Sequence, residues 1–198
     1  MRTRNALGAM GLVAVLTILG ACGGSSGSSA GTKSTPTSAA PEVSPAGDIS
    51  DTQAYVPYSP AAGGYTVSVP EGWARTDQTN GAVFSDKFNS IRIAQTAAAT
   101  APTTASVQAD VVPQIRAEGG TAIAGASKVT RKGGDAIRIT YFQDSAADAT
   151  TGKKVTLAVE RYLFWKNGSL VSITLSAPKG SDNVDPWRTI TDGFAWTA

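Results

Sequence analysis

The side chains that carry most enzyme chemistry are missing from this chain or stand alone in it. Among 198 residues there is no histidine and one cysteine. Every His-containing triad and every His-based or Cys-rich metal site is thereby excluded, and a lone cysteine closes no disulfide within the chain. Nucleophilic chemistry without histidine would need a serine and lysine pair or two carboxylates. Serines and lysines are plentiful, but residues 52–198 hold no Gly-x-Ser-x-Gly elbow, and no Gly-Lys-Ser or Gly-Lys-Thr follows a glycine-rich loop. Seventeen Lys and Arg against fifteen Asp and Glu are too evenly balanced for the clustered basic stripe of a nucleic-acid binder. These patterns point to a protein that is not an enzyme, carries no cofactor or metal and does not bind nucleic acid.

Three residues of one segment stand out as binding candidates. Glu160 and Arg161 interrupt an apolar run from Val155 to Trp165. Strict alternation puts one of them on a face with Leu157, Val159 and Leu163, and the other with Ala158, Tyr162 and Phe164. A β-bulge could re-aim the strand there, or Glu160 could form a buried ion pair with Arg92 or Arg138. Alternatively they form a polar anchor at the rim of an apolar ligand pocket. Trp165 stands beside the Lys166, Asn167, Gly168 turn, where a large ring is less easily buried, and is the candidate partner contact. Trp73, Trp187 and Trp196 are expected to pack in the core.

The cysteine sits where one particular modification needs it. Arg2 and Arg4 precede an uncharged stretch from Ala6 to Ala21, too short for a spanning helix of about 20 apolar residues and laid out as an export signal. It ends in Leu19, Gly20, Ala21, Cys22, which resembles the lipobox of bacterial lipoproteins. That resemblance implies signal peptidase cleavage before Cys22 and a diacylglyceryl group on its sulfur, with the mature protein on the outer face of the cell membrane. Residues 1–21 are then the signal peptide, and losing Arg2 and Arg4 leaves fifteen positive against fifteen negative side chains. Residues 22–51 are rich in Gly, Ser, Thr, Ala and Pro with few large apolar side chains, and are expected to form a lipidated disordered tether with a reach of roughly 30 Å.

Residues 52–198 are the size of one domain, and period two dominates them. Tyr65, Val67 and Val69 alternate with polar residues up to Pro70; Ala82 to Ser85 and Ser90 to Thr96 follow, with Ile91 and Ile93 on one face. Val107, Val111 and Ile115 make a helical stripe stopped by Gly119 and Gly120. Pro113 either kinks that helix or lies in the first turn of a shorter one starting at Asp110. Ser127 to Lys132 and Asp135 to Phe142 are expected to pair through Gly133 and Gly134, and Lys154 to Trp165 with Ser169 to Ala177 through Asn167 and Gly168. Asp185 before Pro186 predicts a helix N-cap, with Trp187 and Ile190 on one helical face and Gly193 at its end. The fold class is α+β, a largely antiparallel sheet of six or seven strands sandwiched by helices.

The run Gly64 to Trp73, then Ala82 to Asp86 and Asn89 to Ile93, resembles the opening of PsbP-like domains, where a strand ends in a Pro-x-Gly-Trp turn before a hairpin. The tail, with Ala177, Pro178, Asp182, Asn183, Trp187 and Phe194, is similar to actinobacterial LpqN-type lipoproteins. The resemblance implies an antiparallel sheet sandwiched by helices, a fold hosting several unrelated roles. The expected function is a membrane-anchored, non-catalytic binding or accessory module for an envelope partner protein. The alternatives are a carrier of a lipid or apolar envelope ligand, and a wall-acting hydrolase.

Overall fold

The computed structural model describes residues 47–197. The expected signal peptide, with Leu19, Gly20, Ala21 and the lipidation site Cys22, and the tether up to residue 46 lie outside the described residues.

In chain order the elements are β1 (Tyr55–Tyr58), β2 (Tyr65–Pro70), β3 (Ala74–Gln78), β4 (Gly81–Asp86), β5 (Asn89–Ala97), α1 (Thr104–Ala117), β6 (Ser127–Arg131), β7 (Gly134–Asp144), β8 (Thr156–Lys166), β9 (Ser169–Pro178), α2 (Val184–Asp192) and β10 (Ala195–Trp196). Seven strands form one sheet in the order β3-β4-β5-β9-β8-β7-β6, and β1, β2 and β10 form a second with β2 in the middle. Every pairing is antiparallel. The fold is α+β, as the alternation predicts. The large sheet lies between helices as expected: α1 packs on one face, and α2 together with the three-stranded sheet covers the other.

Local chemistry explains most boundaries. Lys166 pairs with Ser169, and Asn167 (φ 47°) and Gly168 (φ 84°) turn the chain between them; both central residues of such a tight hairpin need positive φ, which Asn and Gly reach most easily. In the β6–β7 hairpin Arg131 pairs with Gly134, so the turn is Lys132 and Gly133, one residue earlier than the Gly-Gly pair suggests. Gly133 has a second reason to be there: a Cβ on it would run into the backbone of Phe194.

Helix α1 runs unbroken through Pro113 and starts at a capping box between Thr103 and Ser106 rather than at Asp110. Pro113 lies on the solvent side, where water can satisfy the carbonyl that loses its partner. The buried stripe is Val107, Val112 and Ile115, with Val111 only half-buried.

Helix α2 starts at Asn183, not Asp185, and Asn183 does not cap it. Its amide instead accepts from the Ile49 N–H at 2.7 Å and donates to the Gly47 carbonyl at 2.9 Å. The body of the domain therefore begins before the expected residue 52, with Ile49 buried in it. A single apolar residue among Gly, Asp and Ser gives no periodicity from which this packing could be read. Strand β3 is also absent from the sequence expectation, because all five of its residues are exposed and no alternation marks it; it exists as the hairpin partner of β4.

The larger core joins the two sheets. Phe194, just after α2, stacks on Phe164 of β8 with centroids 4.1 Å apart and on Tyr65 of β2 at 6.1 Å, with Ile91, Ile93, Ile173 and Leu175 packed around them. The smaller core lies under α1, where Val107, Val112 and Ile115 meet Ile137, Ile139, Tyr141, Val159 and Leu163.

Candidate functional site

Strand β8 carries all three candidate residues and sends them to different places. Pairing is continuous on both sides, Thr140 to Glu160 to Leu175 and Ile139 to Arg161 to Thr174, so no bulge intervenes. Alternation then puts Glu160 on the face with Tyr162 and Phe164, and Arg161 and Trp165 on the face under α1. The three do not form one site.

Glu160 lies in a cleft of about 300 Å³ between β7, β8 and the start of α2. Its Oε2 accepts a short 2.5 Å hydrogen bond from the Tyr162 hydroxyl, which in turn accepts from Arg131 Nη2 at 3.0 Å. Arg131 also donates through Nε to Thr191 at 2.9 Å, and its guanidinium lies 5.2 Å from the centre of the Tyr162 ring. This chain of bonds ties the edge strand β6 to α2 across β8. Burial pushes the Tyr162 phenol above its usual range, and the neighbouring Glu160 carboxylate adds to the rise, because an anion there would be both desolvated and repelled. Of the two expected arginine partners, Arg138 is the one beside Glu160, at 3.7 Å; Arg92 stands on the other face of the sheet. Neither member of that pair is fully buried, so it is a cleft-wall pair rather than a core one.

Arg161 lies beside α1. Its Nη2 donates to the Tyr141 hydroxyl at 3.3 Å and stands 3.8 Å from Glu118, just past the helix end. Its aliphatic stem covers the small core while its head reaches the rim, which accounts for a charged residue on an otherwise apolar face.

Trp165 lies on the floor of an open groove of about 460 Å³ at the start of α1, with Ile137 and Leu163 beside it and Ala101, Pro102 and Thr104 along one wall. Its indole Nε1–H donates to the Ala98 carbonyl at 2.8 Å, which fixes the ring. Lys128 and Asp135 pair at 2.7 Å on the opposite side, and Lys128, together with the Thr130 hydroxyl, holds the Asp135 carboxyl below its usual range. Trp73, Trp187 and Trp196 are all partly buried against the larger core.

Sequence reasoning did not find Arg131, Arg188 and Ser181 as neighbours of Glu160. They come from β6, α2 and the loop before α2, and no spacing in the sequence links them. Among the described residues no group of three or more carboxylate or thiol side chains is placed to hold a metal ion, and no helix is long and apolar enough to cross a membrane.

No protein-family model matches the chain, and no curated protein matches its sequence. Solved structures are similar in outline. LpqN of Mycobacterium tuberculosis, described as involved in cell envelope biogenesis, is 16% identical with a TM-score of 0.46, covering 75% of this chain and 93% of LpqN. Cyanobacterial PsbP from Synechocystis is 14% identical with a TM-score of 0.49, covering 78% and 99%. The Ran-binding protein Mog1p of Saccharomyces cerevisiae is 14% identical with a TM-score of 0.48, covering 72% and 95%. At identities of 14–16% and TM-scores below 0.5, these likenesses pass neither a family nor a residue role to this chain.

Proposed function

We propose that this chain is a lipid-anchored binding module of the bacterial cell envelope, held at Cys22 on the outer face of the cell membrane, without a reaction of its own. Its occupant is a partner protein that places apolar side chains in the groove over Trp165. The observation that supports this is the fixed ring: a tryptophan held by its N–H to Ala98 offers a rigid apolar surface, and an anchor that is already ordered loses little entropy on binding. The surrounding mixture of apolar floor and charged rim is the pattern of a protein contact. An apolar ligand carried between α1 and the sheet would have to displace Val107, Val112 and Ile115, which already fill that space.

Two experiments on the full-length chain in a bacterial host test this. With a photo-crosslinking residue at Thr104 on the groove wall, a discrete crosslinked envelope protein is expected, and Trp165→Ala should abolish it. A lipid adduct in its place would favour the carrier, and hydrolysis of wall esters or glycosides by the purified protein would favour the hydrolase; either result removes the binding-module proposal. Separately, Cys22→Ala should leave the precursor uncleaved at this site and without acyl groups. Processing at residue 22 with retention in the detergent phase would rule out the anchor.

A further inference from the structure

Arg138 is a guanidinium whose hydrogen bonds are not made by the protein. Among the described residues its side chain donates none: the nearest carboxylate oxygen, Glu160 Oε1, is 3.7 Å away, and the other Glu160 oxygen is occupied by Tyr162. Its Nε is buried and has no partner, while the side chain as a whole is 36% exposed and lines the cleft. Leaving such a donor unpaired in a folded protein costs free energy, and a five-donor fork favours a planar or tetrahedral oxyanion held by two parallel bonds.

The rest of the cleft agrees with that demand. Arg131 and Arg188 also line it, and both face one carboxylate, Asp192, at 4.0 and 3.6 Å. Three guanidiniums thus share two carboxylates. Asp48, Asp182 and Asp185 stand near the start of α2 but are not among the residues lining the cleft. In the same wall Ser181 Oγ is a second buried polar atom without a hydrogen-bond partner. Trp187 and Tyr162 supply aromatic surface beside these charges. A space of about 300 Å³ is at the small end for ligand sites.

We propose that this cleft binds a small oxyanion carried on an apolar or aromatic body, with Arg138 as its principal donor, Arg188 as a second cation and Trp187 against the body. The site is separate from the Trp165 groove, which lies on the opposite face of the sheet, and it does not depend on the partner assigned to that groove. The anion could belong to a free aryl or alkyl phosphate or carboxylate, or to the headgroup of a lipid.

Calorimetric titration of the full-length protein in neutral detergent distinguishes these. Phenyl phosphate and dihexanoyl phosphatidic acid are the probes, with phenol as the neutral control. Binding of at least one phosphate without binding of phenol is expected, the tighter of the two showing whether a free ligand or a headgroup is the better fit. Arg138→Gln, with an unchanged unfolding midpoint, should weaken that binding by about tenfold or more, as loss of a charge-assisted bond does, and Arg138→Lys should recover only part because it lacks the fork. In the unmutated protein the ligand should shift the Arg138 Nε–H resonance, a readout that needs no variant. Absence of binding by both phosphates, equal binding of phenol, or full affinity in folded Arg138→Gln would overturn the proposal.

Discussion

The seven-stranded sheet is closed on one face and only partly covered on the other. Toward β2 and α2, strands β4, β5, β7, β8 and β9 present Phe84, Ile91, Ile93, Ala136, Phe164, Ile173 and Leu175 to a continuous core. Toward α1, the apolar residues belong to β7 and β8, with Leu170 of β9 at the margin. On the rest of that face β4, β5 and β9 carry Val83, Ser85, Ser90, Arg92, Ala94, Ser172 and Thr174, mostly small or polar and all at least partly exposed. Ser90 and Ser176 meet there at 2.7 Å through their hydroxyls. A single helix about 10 Å across cannot cover seven strands spaced nearly 5 Å apart, so the uncovered strands alternate apolar with polar, whereas β7 and β8 carry apolar residues toward both layers, interrupted by Arg138, Glu160 and Arg161. Both candidate sites lie at margins of these covering layers: the Trp165 groove at the open start of α1, and the Arg138 cleft where α2 begins.

The largest expected effect separates the two cores. Phe164→Ala opens a hole in the aromatic stack and should cost about 3–5 kcal/mol of unfolding free energy, measured by urea denaturation. Ile115→Ala, on a helix that can settle toward the sheet, should cost less, near the low end of about 2–5 kcal/mol. An equal or greater loss at Ile115 would mean that the α1 side is as tightly closed as the other.

A smaller effect is expected in the bond network. Tyr162→Phe removes the donor to Glu160 and the acceptor for Arg131 and should cost roughly 1–3 kcal/mol at neutral pH. Because the folded-state pKa of Tyr162 is raised, its contribution is complete below the unfolded value near 10 and is lost as pH rises through the raised folded value. The difference between wild type and Tyr162→Phe should therefore narrow in urea titrations taken from pH 8 to above pH 10. A constant difference would show that this hydroxyl is not held neutral by its surroundings.

The smallest effect is expected on the uncovered strands. Arg92→Ser should change stability by no more than about 0.5 kcal/mol, read as a shift in thermal midpoint. A loss well above that would show that Arg92 makes a stabilising contact that its exposed position does not suggest.

Period-two alternation and turn residues made most strands legible in advance, as with Ile91 and Ile93 on one face and Asn167 and Gly168 at a turn. Elements held by their neighbours were not legible: β3 is exposed throughout, and Gly47 to Ile49 are secured by Asn183, a residue that local rules would assign to helix capping. The same division holds for the sites. Glu160, Arg161 and Trp165 could be singled out because each breaks an apolar pattern or stands beside a turn. That Glu160 meets Arg138 and Tyr162, while Arg161 and Trp165 face the opposite layer, follows from strand parity.

Residue type alone excludes histidine chemistry and disulfides within the chain, makes Cys22 the candidate anchor and marks a β-rich domain. Those conclusions need only local information: which atoms are present, and how apolar residues repeat along a chain. The Arg138 cleft depends on the β6–β7 hairpin, β8 and α2, segments separated in sequence, meeting at one place. Whether a guanidinium finds its hydrogen-bond partners is set by what packs around it in three dimensions, so an arginine that faces a carboxylate yet makes no side-chain hydrogen bond is visible only in the folded chain.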